Sequence, residues 1–144
     1  MSADPWFVDT NVLVYAFDDD SPDKRKTARQ LLDDKADQLV LSAQVLGEFY
    51  VTVTRKLARP LAAARAIEVL EALCALPVRG LGPELVRSAV RRSASSQVSY
   101  WDALIVESAL DMGATVLLTE DLQHGQTFGQ LKVVNPFREN ERRR

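Results

Sequence analysis

Four acidic residues, Asp9, Glu48, Asp102 and Asp121, stand at points where the chain could carry out chemistry, and it offers few other groups for the task. A single histidine, His124, and a single cysteine, Cys74, exclude a His-rich metal site, paired-histidine acid–base catalysis and an intrachain disulfide. The chemistry rests on carboxylates. Four carboxylates converging on one crevice would repel one another and take up protons unless a cation neutralised them. Mg2+ or Mn2+ is the natural choice, because these ions prefer oxygen ligands in octahedral geometry, keep several waters and bind substrate phosphates in the open positions. The reaction this suggests is phosphodiester hydrolysis, since a metal makes bound water more acidic and offsets charge on the attacked phosphate without a His base or Ser nucleophile.

Each acid also has a local explanation. Ser99-Tyr100-Trp101-Asp102 spells a capping box with Ser99 as N-cap and the acid at N3. Asp9 suits a cap on the turn after its strand, and Asp121 a cap on a short helix after Thr119-Glu120. Glu48 falls on the helix side shared with Thr52 and Arg55, where a solvated glutamate paired with a base is the commoner case. Asp102 is the most informative. Steps of about 100° per residue place it near Val106 and Ala109, with Glu107, Ser108 and Asp111 opposite, and an inward carboxylate is costly unless paired or bound to a metal. Gly47, beside Glu48, costs helix stability and hints at close packing there.

These positions depend on the elements around them. Trp6-Phe7-Val8 reads as a buried strand stopping near Asp9, and Leu39-Val40-Leu41 as a second, followed by Ser42 as an N-cap. Thr115 to Thr119 is the clearest buried strand, and Leu131 to Val134 the last. Between them lie helices: an exposed one after Asp18–Asp23, one over Ala43–Ala58, an alanine-rich one over Leu61–Leu76 with Pro60 in its first turn, one from Gly82-Pro83, and Tyr100–Met112 ending at Gly113. Ser93 to Ser99 reads as a serine-rich loop. Alternating strands and helices predict an α/β domain around a mostly parallel sheet of about four or five strands. In such a fold the first turns of returning helices lie near the C-terminal edge of the strands, so Asp9, Asp102 and Asp121 share that edge, and Glu48 joins them if Leu39–Leu41 belongs to the sheet.

The chain of 144 residues, 47% hydrophobic and 26% charged, fits a single domain over 1–137 with a charged tail over 138–144, where Arg142, Arg143 and Arg144 read as frayed. Eighteen basic residues against 20 acidic ones give a net charge of −2, which excludes a global positive field for nucleic acid. Local cations would have to serve, and Arg87, Arg91 and Arg92 are the candidates for RNA contact, against the alternative of a solvated helix flank. Lys24, Arg25, Lys26 and Arg29 read as solvating an exposed helix, Cys74 as a small core residue, and His124 as a loop residue. The helix over Leu61–Leu76 reads as mostly core, with a surface suited to a dimer contact or a partner helix. Asp4 and Pro5 interrupt any apolar leader and no run is long enough to cross a membrane, so a cytoplasmic protein is expected.

Taken together, Phe7-Val8-Asp9-Thr10-Asn11, Glu48, Ser99-Tyr100-Trp101-Asp102-Ala103-Leu104-Ile105, Thr119-Glu120-Asp121 after a Thr-Val-Leu-Leu strand, and Val134-Asn135-Pro136-Phe137 make the chain resemble PIN-domain ribonucleases, and among them the VapC-type toxins of bacterial toxin–antitoxin pairs. The resemblance covers nearly the whole chain. It implies a three-layer α/β/α sandwich, an Mg2+- or Mn2+-dependent endoribonuclease, a homodimer, and a small antitoxin protein that blocks the site. Carried over position by position, Asp9, Glu48, Asp102 and Asp121 match the acidic, metal-holding quartet. Asn11 and Thr119 match positions that orient water or a carboxylate, and Glu120 matches the motif's middle acid. The implied reaction is attack of a metal-activated water on RNA, leaving 5′-phosphate and 3′-hydroxyl ends. Two other readings compete. A phosphatase with Asp9 as nucleophile would want an acid two residues later, where Asn11 stands; a catalytically silent module would bind RNA or protein without cleaving.

Overall fold

A computed structural model describes residues 3–138. Of the expected tail only Arg138 is included, and Arg142, Arg143 and Arg144 lie outside the described residues. The strands are β1 (Trp6–Val8), β2 (Leu39–Ser42), β3 (Val78–Arg79), β4 (Val116–Leu118), β5 (Thr127–Phe128) and β6 (Leu131–Val134), and the helices α1 (Thr10–Tyr15), α2 (Pro22–Asp34), α3 (Ala43–Val51), α4 (Ala63–Leu73), α5 (Pro83–Ser95) and α6 (Tyr100–Asp111). The sheet order is β3-β2-β1-β4-β6-β5. All pairings are parallel except that of β5 with β6. The architecture is the α/β/α sandwich, with two short strands beyond the four main ones.

Burial explains the strand sequences. A parallel sheet covered on both faces needs continuous apolar runs rather than alternation, and Phe7, Val8, Leu41, Leu117 and Leu118 are all without exposed surface. The helices end where the chain chemistry ends them. Ser42 caps α3 and Ser99 caps α6 through their side-chain oxygens, and Gly113 follows α6 with φ of 72°, a conformation that only glycine adopts without strain.

Several expectations are corrected. Pro60 precedes α4 rather than sitting in its first turn, because the helix starts only after Ala62. Helix α5 runs to Ser95, into the expected loop, since small serines tolerate the helical backbone when the opposite face packs on α6. Ser108, expected on the outward face, is buried as well, and its hydroxyl stays satisfied within the helix by donating to the Leu104 carbonyl at 2.7 Å. Helix α4 is not mostly core: Ala66 is its one fully buried residue, Ile67 is 48% exposed and Cys74 is exposed. The basic run on α2 is not uniformly solvated, because Lys24 is drawn inward and Arg29 donates to the Ala16 carbonyl at 2.7 Å. The helix from Ala43 does continue past Val51, but as a widened π-type turn over Thr52–Lys56, in which the Leu57 N–H reaches five residues back to the Thr52 carbonyl at 3.2 Å.

Candidate functional site

The register of β1 on β4 sets Val8 opposite Leu118, so the residues that follow emerge side by side at the C-terminal edge of the sheet. The Asp9 N–H donates to the Leu118 carbonyl at 3.0 Å. Asp9 caps α1, with Oδ1 accepting from the Thr10 N–H at 2.7 Å and Oδ2 accepting from the Thr119 hydroxyl at 2.8 Å. Asn11 laces the two segments together. Its Nδ2 donates to Thr119 Oγ1 at 3.2 Å and its Oδ1 accepts from the Glu120 N–H at 3.3 Å. The Asp121 N–H then donates to Thr119 Oγ1 at 3.1 Å. Thr119, wholly buried, is thus the hub that joins Asp9, Asn11 and Asp121.

Glu48 reaches the same edge from the second turn of α3. Its carboxylate accepts from the Thr10 hydroxyl and from Gln44 Nε2, each at 3.0 Å. Asp102 sits half-buried in the first turn of α6, where its N–H donates to Ser99 Oγ at 3.2 Å. The cap and the edge position coexist. A helix that returns to the sheet presents its first turn at the strand ends whether or not its third residue also completes a cap.

Electrostatics links the four acids. Asp9 is 5% exposed, and its pKa is pushed up to about 7 by burial, with Asp121 and Glu48 adding to the rise against the bonds from Thr119 and Thr10. Burial likewise raises Asp121; Asn11 opposes the shift, while Asp102, Glu120 and Glu48 reinforce it. A cleft of about 350 Å³ opens beside them, lined by Asn11, Tyr15, Glu48, Thr52, Glu120 and Asp121 among others.

Among the described residues no three His, Cys, Asp or Glu side chains form a set that would enclose a metal ion by themselves. The donors nevertheless fit a hydrated Mg2+ or Mn2+. All are hard oxygens, they are spread around one edge, and such ions keep several waters rather than demand a closed protein cage. Gln44 Nε2 is spent on Glu48, while Gln44 Oε1 is buried without a hydrogen-bond partner among the described residues.

Two residues that sequence reasoning passed over complete the surroundings. Lys24 Nζ lies 3.1 Å from Glu120 Oε2 and 3.3 Å from the Tyr15 hydroxyl, and the Tyr15 hydroxyl donates to Glu120 Oε1 at 2.8 Å. Burial works against the Lys24 ammonium, but its bonds to Glu120 and Tyr15 outweigh that and hold its pKa above the ordinary lysine value. Burial and the Glu120 bond raise Tyr15. Both carboxylate oxygens of Glu120 are therefore taken up by Tyr15 and Lys24. No periodicity could single out Lys24 from its basic neighbours, because only the fold brings α2 to the loop after β4.

The three arginines stand elsewhere. Arg92 Nε donates to Glu107 at 2.7 Å, and its guanidinium lies 5.3 Å from the Phe128 ring centre. Arg91 shares a separate cleft with Arg92, Ser88, Ser95 and Glu107, while Arg87 is exposed on α5.

The model of the PIN domain family matches residues 6–127. No curated protein matches the chain. Among solved structures, a toxin–antitoxin complex from Klebsiella pneumoniae is 19% identical, over 91% of this chain and 97% of that one, with a TM-score of 0.69. DNA-bound VapBC from Salmonella typhimurium is 18% identical over 91% and 97% at 0.65. VapC20 of Mycobacterium tuberculosis, described as a toxin that cleaves the sarcin–ricin loop, is 20% identical over 77% and 85% at 0.60. At these identities the likeness establishes a shared fold.

Proposed function

The chain belongs to the PIN-domain family, and from that premise we propose that it is an Mg2+- or Mn2+-dependent endoribonuclease acting as the toxin of a toxin–antitoxin pair. The observation that carries the reading is the convergence of Asp9, Glu48 and Asp121 on one strand edge, where burial, with Asp121 and Glu48 adding to it, pushes the Asp9 pKa up to about 7. Carboxylates brought together in this way support the reading, because a bound cation would offset their repulsion.

Asp9, Glu48, Asp102 and Asp121 are the residues that would hold the ion, and a bound Mg2+ or Mn2+ would supply a more acidic water and charge compensation at the phosphate. The chain's own part is positioning. Thr10 and Thr119 fix the two oxygens of Asp9, Asn11 fixes Thr119, and Thr10 with Gln44 fixes Glu48. The Asp9 and Glu48 carboxylates are thereby aimed in advance, which would limit the reorganisation needed at the reaction step. Glu120, tied to Lys24 and Tyr15, supports the loop that carries Asp121. Cleavage would leave 5′-phosphate and 3′-hydroxyl ends. The partners would be RNA, an antitoxin protein that occludes the acidic edge, and a second copy of the chain; a dimeric mass in light scattering at micromolar concentration checks the last.

The test is incubation of purified chain with total cellular RNA and Mg2+ or Mn2+, with sequencing of new ends. New 5′-phosphate ends are expected, absent with EDTA and reduced about 100-fold or more by Asp102→Asn. No cleavage by folded, inhibitor-free protein at any metal concentration overturns the reading in favour of a silent binding module.

A further inference from the structure

Helix α3 carries a glycine that its own fold does not require. A β-carbon built on Gly47 meets nothing within 4 Å, so packing does not explain it, and a mid-helix glycine costs about 1 kcal/mol relative to alanine. Bare backbone at such a place suits the close approach of a ligand.

The cleft beside it has a definite lining. Thr10, Gly47, Glu48, Val51, Thr52 and Lys56 enclose about 370 Å³, and Thr10, Glu48 and Thr52 also line the cleft that reaches Asp121. The two clefts therefore lie side by side. Residues four and eight apart lie along one helix face, and Glu48, Thr52 and Lys56 accordingly share one cleft. Lys56 closes a π-type turn over Thr52–Lys56, and such widened turns are frequent at functional sites. Lys56 is exposed and makes no ion pair among the described residues, unlike Lys24 and Arg92, which are each bonded to a glutamate.

We propose that this cleft is an RNA-backbone subsite, in which Lys56 takes the phosphate of a nucleotide neighbouring the cleaved one and the strand lies over the bare backbone of Gly47. The inference rests on the ribonuclease reading and names where the substrate lies. It gives an acidic protein a local cation that its net charge does not supply.

The test measures binding of a fluorescein-labelled single-stranded ribo-oligonucleotide of mixed sequence, with Mg2+ present and in an Asp102→Asn background that suppresses cleavage. Lys56→Ala is expected to weaken binding roughly three- to fivefold at 50 mM salt and to reduce the slope of log affinity against log salt by about 0.7, with Lys56→Arg restoring both. Gly47→Gln is expected to melt at an equal or higher temperature while binding RNA several-fold more weakly, a split that a merely structural role would not produce. Unchanged affinity and slope in Lys56→Ala, with the parent binding RNA, overturn the subsite alone. A lowered melting temperature in Gly47→Gln overturns the claim that the fold does not need the glycine. A parent chain that neither binds this RNA nor, without the Asp102 change, cleaves total RNA overturns the ribonuclease reading together with the subsite.

Discussion

A buried carboxyl with a pKa near 7 leaves a measurable mark on the metal-free protein. The folded chain holds the Asp9 proton up to about pH 7, whereas an unfolded chain releases it near 3.8. Stability from this group is thus fully present below the unfolded value and is lost as pH rises through the folded one, by up to about 4 kcal/mol. Asp121, also raised by burial, acts with the same sign. Urea unfolding in EDTA should therefore show a higher midpoint at pH 5 than at pH 8. Equal midpoints, or the reverse order, would mean that Asp9 is ionised in the fold without penalty.

At the scale of elements, the bond between α2 and the loop after β4 is the contact that matters most beside the site. Lys24 and Glu120 are 13% and 21% exposed in their side chains, and Lys24 also lies 4.7 Å from the Tyr15 ring centre. Removing the ammonium leaves a largely buried glutamate without its cation. Lys24→Met is accordingly expected to cost about 1–3 kcal/mol. Arg65→Ala, which breaks an ion pair whose side chains are 57% and 71% exposed, should cost less than about 1 kcal/mol. Denaturant titration of the two variants gives the comparison, and a Lys24→Met change no larger than that of Arg65→Ala would deny the contact its structural weight. Helix α4 illustrates a different limit. Its alanine-rich sequence reads as core, yet it lies at the surface with Ala66 alone fully buried, because small apolar residues stabilise a helix by propensity as readily as by burial.

For the whole molecule, a cation held by Asp9, Glu48, Asp102 and Asp121 would join β1, α3, α6 and the loop after β4, so its binding should stabilise the fold rather than one segment. At 100 times its dissociation constant an ion that binds only the folded chain adds about 2.7 kcal/mol. The melting temperature should rise with Mg2+ or Mn2+ at pH 8, and Asp102→Asn should flatten the rise. A melting temperature indifferent to both ions in the unsubstituted chain would show that the acidic edge holds neither. The net charge of −2 makes the effect specific to this edge, since no large general repulsion exists for added salt to screen.

By itself the sequence determined the four main strands, five of the six helices in outline, and their order. Continuous apolar runs such as Phe7-Val8 and Val116-Leu117-Leu118 read as strands covered on both faces, and Ser42, Ser99 and Gly113 marked helix ends through local hydrogen bonds and backbone freedom. It also restricted the chemistry to carboxylates, whereas α1, β5 and the β1–β4 register were not legible in it. Tertiary structure decided what depends on contacts between distant segments: that Thr119 binds Asp9 across 110 positions, that Lys24 leaves its basic neighbours for Glu120, that Ser108 is buried, and that Lys56 lines a cleft together with Thr10 and Glu48. Periodicity reports which way a side chain leaves its own helix or strand. What it meets there is set by the packing of other elements, which no local pattern encodes.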